Sequence, residues 1–103
     1  MVEAQRQIEH WIAREHEAVA RRLLADPEGV IARARNNLDR WAVRYERMPA
    51  WMDEWRRILS EPVEVVVRVL REDSERAVWL RSCSPFAGAL TARERWAIRK
   101  GLD

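Results

Sequence analysis

Apolar residues recur along the first half of the chain at helical spacing. In residues 3–24, Ile8, Ile12, Val19 and Leu23 repeat on one face, flanked by Trp11 and Ala20. Asp26 and Pro27 punctuate the pattern: aspartate is a favoured N-cap, and proline suits the first helical position. A second run reaches about Arg47, with Ile31, Ala34, Leu38, Trp41, Tyr45 and Met48 at intervals of 3, 4, 3, 4 and 3, a coiled-coil-like seam. Two helices of about 20 residues, each roughly 30 Å long, joined by so short a link, predict an antiparallel helical hairpin over 2–48.

Residues 49–103 read as shorter pieces. Pro49 opens a segment in which Trp51, Trp55, Ile58 and Leu59 share a face. The stretch VEVVVRVL is ambiguous. Val63, Val66, Val67 and Leu70 fit a helix, while Val63, Val65, Val67 and Val69 fit a strand, which valine favours. Helix is preferred, because the chain shows no second strand and a lone strand is unstable. The pairs Glu64–Arg68 and Arg68–Glu72 also have i,i+4 spacing. Ser74 is the expected cap of a short helix through Arg81. Thr91 with Glu94 forms the S/T-x-x-E capping box of a last helix ending at Gly101. The expected fold is all-α and a single domain: a long antiparallel hairpin with three or four short helices packed on it.

With 48% hydrophobic and 35% charged residues, the chain belongs with neither disordered nor membrane-spanning proteins. No uncharged run approaches the roughly 20 residues that cross a bilayer, and the N-terminal residues have no signal-peptide core. The single cysteine rules out an internal disulfide and fits a reducing cytoplasm. The net charge is only +2, so charge alone does not choose a partner.

Motifs for chemistry are missing. His10 and His16, six residues apart, face different sides of a helix and cannot share a metal from there. The sequence has no His-Glu-x-x-His, P-loop, G-x-G-x-x-G or Gly-x-Ser-x-Gly. Cys83 has no His or Lys within ten residues and reads as a small buried cysteine. Glu15 borders the apolar stripe and is expected to pair with an arginine. No catalytic, cofactor or metal residues are assigned, and a non-enzymatic protein is expected.

Two surfaces remain. On the second helix Arg33, Asn36, Asn37, Arg40, Arg44 and Arg47 fall within one narrow arc, a stripe suited to a phosphate backbone or an acidic protein, or else a solvated face. The second surface is aromatic. Six tryptophans are hard to bury completely in so small a domain, since each indole N–H needs a partner. Either they close the core or some form a docking face, because Trp and Arg lead interface hot spots. The uncharged segment SCSPFAGAL, residues 82–90, reads as a connector, with Phe86 plugging the end of the bundle and Leu90 under the last helix.

The segment SPFAGALTARERWAIRKGL, after a charged helical hairpin, resembles the C-terminal part of small prokaryotic helical proteins of toxin–antitoxin or mobile-element type. The likeness covers about the last third of the chain in detail. It implies a small cytoplasmic protein that binds and neutralises a partner, and it transfers no active site. The function expected is therefore an antitoxin-like or regulatory module that binds another protein, such as a toxin or enzyme. Its expected anchors are Trp51, Trp55, Phe86 and Trp96, with Arg40 and Arg44 as charged contacts. Nucleic-acid binding by the arginine and asparagine stripe is the alternative, and a homodimer through the apolar seam is compatible with either.

Overall fold

The computed structural model describes residues 2–102. These form six α-helices: α1 Val2–Ala25, α2 Pro27–Ala42, α3 Ala50–Leu59, α4 Val63–Arg71, α5 Glu75–Ser82 and α6 Ala92–Lys100. No strand occurs among the described residues. The all-α expectation holds, and the short helices number four. No helix is long and apolar enough to cross a membrane.

The punctuation reads as the sequence indicates. Asp26 caps α2 by accepting from the Gly29 N–H, with Pro27 at the first turn. Ser74 caps α5 by accepting from the Ala77 N–H. Thr91 and Glu94 form the reciprocal capping box of α6, which ends at Gly101 with φ +73°. Each such cap stabilises its helix by about 1 kcal/mol, which matters for helices of eight to ten residues that would be marginal alone.

One hydrophobic core draws on every helix. The second half of α1 enters it through Val19, Ala20 and Leu23, while residues 2–10 are exposed. α1 packs on α2 across the one-residue link, but its most extensive partner is α4. In α4 the buried residues are Val66, Val67, Val69 and Leu70. That burial follows helical rather than alternating spacing and resolves the strand ambiguity.

α2 is shorter than its periodicity suggests. It stops at Ala42, and the chain leaves through tight turns in which Arg44 N donates to Trp41 O and Tyr45 N to Ala42 O. Pro49 bars a helix from running on through Met48, because the residue before a proline is disfavoured in helical geometry, and the chain turns earlier than that for α3 to pack on α2. Tyr45 and Met48, expected in the seam, are therefore surface residues, 46% and 47% exposed. The buried face of α2 is also rotated. Val30, Ala34 and Leu38 are buried and Ile31 only partly so, which carries Asn37 inside.

Asn37 anchors the uncharged segment 82–90. Its side-chain N–H₂ donates to Pro85 O at 2.8 Å and to Ala87 O at 2.9 Å. Gly88 turns the backbone with φ +84°, and a Cβ there would come within 2.9 Å of the Arg33 guanidinium. Phe86 is thereby pressed into the core. It meets the Trp55 ring edge-on at 5.5 Å and the His16 ring at 6.5 Å. Leu90 is buried as well, as expected. Replacing Asn37 with alanine leaves the buried Pro85 carbonyl unpaired and is expected to cost about 1–3 kcal/mol. Replacing the exposed neighbour Asn36 should change stability by less than about 0.5 kcal/mol. Urea denaturation of both variants checks the contrast, and equal effects would show that the anchor is not structural.

Candidate functional site

Two of the expected partner anchors are core residues. Trp55 is wholly buried, and its indole N–H donates to Leu80 O at 2.9 Å. Phe86 is 5% exposed. Neither can reach a partner while the fold is intact. They are corrected to core residues because the indole finds its hydrogen-bond acceptor inside, and the Asn37 anchor holds the phenylalanine against it. Trp96 is 54% exposed on α6, and Trp51 is half-buried at the start of α3. Trp79, on α5, is 45% exposed, although it is not among the expected anchors.

The arginine and asparagine stripe is broken. Asn37 is buried, and Arg40 donates to its side-chain oxygen at 2.6 Å. Arg33 lies against the Gly88 turn. Arg44 and Arg47 lie beyond the end of α2, off the face that carries Arg33, Asn36 and Arg40. A continuous phosphate-tracking row along one helix is therefore not formed.

Much of the remaining charge is spent between helices. Arg71 of α4 grips Glu17 of α1 through two hydrogen bonds, at 2.8 and 3.1 Å. Those bonds hold the Glu17 carboxyl below its usual range against the opposing effect of burial. Arg22 reaches Glu94 at 2.6 Å, Arg56 reaches Asp39 at 2.9 Å, and Glu54 binds both Arg57 and Arg76. Glu15 pairs with Arg99 at 3.3 Å, as its place beside the apolar stripe suggested, and that guanidinium also lies over the Trp11 ring.

Against this background the connector 43–49 is distinct. Val43 is 85% exposed beside the exposed Tyr45 and Met48. Tyr45 stacks edge-on with Trp51 at 6.4 Å, which fixes the aromatic pair. Arg44 and Arg47 flank it, and among the described residues neither has a carboxylate partner. Exposed apolar side chains thus alternate with Arg44, Glu46 and Arg47, whose charges form no ion pair with one another among the described residues. The signal was present in the sequence as Tyr45 and Met48, but the heptad-like spacing assigned both to the seam.

Burial pushes the Cys83 thiol up, and its Sγ lies 3.4 Å from Trp79 O. Among the described residues no three His, Cys, Asp or Glu side chains come together where they could hold a metal ion. His16 is 7% exposed, and its Nδ1 lies 2.7 Å from Ile12 O. A carbonyl can only accept, so Nδ1 carries the proton and Nε2 is left with a bare lone pair. Comparison of the chain with protein-family models, with curated proteins and with solved structures finds no match.

Burial lowers the pKa of His16 from 6.5 to about 4, helped by the charge of Arg81 and opposed by the Ile12 hydrogen bond. The unfolded chain therefore binds a proton below pH 6.5 that the folded chain refuses until about pH 4. Stability falls as pH falls through that window, by up to about 3 kcal/mol from this one group. Denaturation midpoints across the window should drop in the native protein and flatten in His16→Phe. An imidazole that titrates near its ordinary value by NMR would contradict the burial argument.

Proposed function

We propose that the chain is a non-enzymatic protein-binding module and that the connector between α2 and α3 is its docking face. The observation that carries this reading is the exposed set Val43, Tyr45 and Met48, backed by Trp51 and flanked by Arg44 and Arg47. Aromatic residues, methionine and arginine are the types enriched at interfaces. The Tyr45–Trp51 contact restrains the patch before binding and so lowers the entropy lost on association. The partner is a protein presenting an apolar surface ringed by carboxylates. An antitoxin-like role for such a module rests on the resemblance of the last third of the chain to small prokaryotic proteins of that type.

Trp51 keeps its place in this reading as the half-buried ring against Tyr45, and Arg44 as an exposed charged contact; Arg40 is held by the Asn37 side chain. The nucleic-acid alternative draws on Arg33, Asn36, Arg40, Arg44 and Arg47, which do not share one helical face, so it has less support. The two readings differ in salt dependence, because phosphate contacts release counterions and an apolar interface does not.

Affinity isolation of the tagged full chain from its host, with and without nuclease and at low and high salt, tests the proposal. The wild type should retain one stoichiometric protein at high salt. Val43→Asp and Met48→Asp, both at exposed positions, should reduce its recovery at least tenfold, a loss of about 1.4 kcal/mol or more, and leave the helical circular dichroism unchanged. Recovery undiminished by both substitutions, or recovery of nucleic acid alone that disappears with salt, would overturn it.

A further inference from the structure

A cleft of about 240 Å³ opens between α1, α5 and the 82–90 segment, with Arg95 of α6 on its lining. It is separate from the connector face. Ile12, Val19, Phe86 and Leu90 supply apolar walls, and two buried polar side chains lie among them. The first is His16, whose Nε2 has no hydrogen-bonding protein group among the described residues. With Nδ1–H committed to Ile12 O, this atom can only accept. The ring is neutral at ordinary pH, so it does not repel a cation or attract an anion.

The second is Arg81, 7% exposed. Its Nη1 donates to Val69 O at 3.0 Å and Glu72 O at 2.8 Å, closing the C-terminal end of α4. No carboxylate comes within ion-pair distance of it among the described residues, and Asp73 and Glu72 act on it only through space. A buried guanidinium without a direct counter-ion is costly and unusual. Glu15 also borders the cleft, but Arg99 already pairs with it. Arg95, exposed, adds a second cation with no ion pair among the described residues. The lining thus mixes apolar walls with the Ser82 and Ser84 hydroxyls, an excess of positive charge and one buried acceptor that has no protein partner among the described residues.

We propose that this cleft binds a small organic acid carrying a hydroxyl or amine: the donor group bonds His16 Nε2, and the carboxylate lies towards Arg81 and Arg95. Each part of the ligand answers a specific deficit. The donor satisfies the orphan lone pair, the anion supplies the direct ion pair that Arg81 lacks, and a compact apolar body fills the space between Ile12, Phe86 and Leu90. The site involves none of the residues of the connector patch, so each reading can fail without the other.

The test is an NMR titration of the full chain with 4-hydroxybenzoate and, as a matched acid without the donor, benzoate. The proposal expects 4-hydroxybenzoate to shift the His16 ring resonances and the Nε2 nitrogen, with affinity about tenfold above that of benzoate, the equivalent of one added hydrogen bond. Arg95→Ala, an exposed substitution, should weaken both acids about three- to tenfold, and His16→Phe should abolish the preference for the hydroxyl. If His16→Phe does not fold, the Nε2 shift in the wild type carries the same information. Failure of both acids to move the His16 signals at about 10 mM, equal affinity for the two, or a protonated Nε2 would overturn the proposal and leave water as the partner of that atom.

Discussion

The structure depends on how the uncharged segment 82–90 is tied across the bundle. Asn37 supplies two hydrogen bonds to its backbone, and Gly88 supplies the turn that a residue with a side chain would adopt only under strain. Arg22 adds a bond to Ala89 O at 3.2 Å. These polar contacts place Phe86 edge-on to Trp55, the largest side chain that is fully buried. Without the tie, a stretch holding no regular secondary structure after Ser82 would have to bury its carbonyls unpaired, at a cost comparable to a lost hydrogen bond for each. With it, the segment closes the core between α1, α3 and α5, and the cleft beside His16 is formed as a consequence.

Arginine plays two parts in this chain. Most of the interhelical ion pairs are partly exposed, and each contributes modestly, on the order of 0–1 kcal/mol. Their collective role is geometric: Glu17, Glu54 and Glu94 are each met by an arginine from another helix. Arg81 has a different task, because its guanidinium is buried and satisfies two carbonyls at the end of α4. Arg44 and Arg47 form no ion pair among the described residues, although Glu46 stands between them, and they lie where apolar side chains are also exposed. That coincidence, rather than the number of arginines, distinguishes the connector as a recognition surface.

Local signals were legible in the sequence, and long-range ones were not. The caps at Asp26, Ser74 and Thr91 are short-range hydrogen bonds, so spacing and residue type sufficed to place them. The Glu15–Arg99 pairing was legible as a need for a partner but not as a choice among eighteen arginines. Asn37 was read as surface because the seam was centred on Ile31. Helical periodicity tolerates a rotation of part of a turn, and only tertiary packing decides that Val30 is the buried neighbour. Trp55 looks the same in sequence as Trp96, since an aromatic residue on a short amphipathic helix is equally suited to core and interface, and Phe86, in a connector, could plug the bundle or face a partner. Their burial follows from contacts 25 and 31 residues apart, Trp55 with Leu80 and with Phe86. Periodicity does not encode such contacts.

The most direct test of the central claim is site-specific photo-cross-linking in the living host. A photoreactive phenylalanine analogue would replace Val43 on the connector and, as a control, Arg68 on the exposed face of α4. The account predicts one discrete, nuclease-resistant protein adduct from position 43 and none from position 68. No protein adduct at position 43, or the same adducts from both positions, would contradict the assignment of the connector as the docking face.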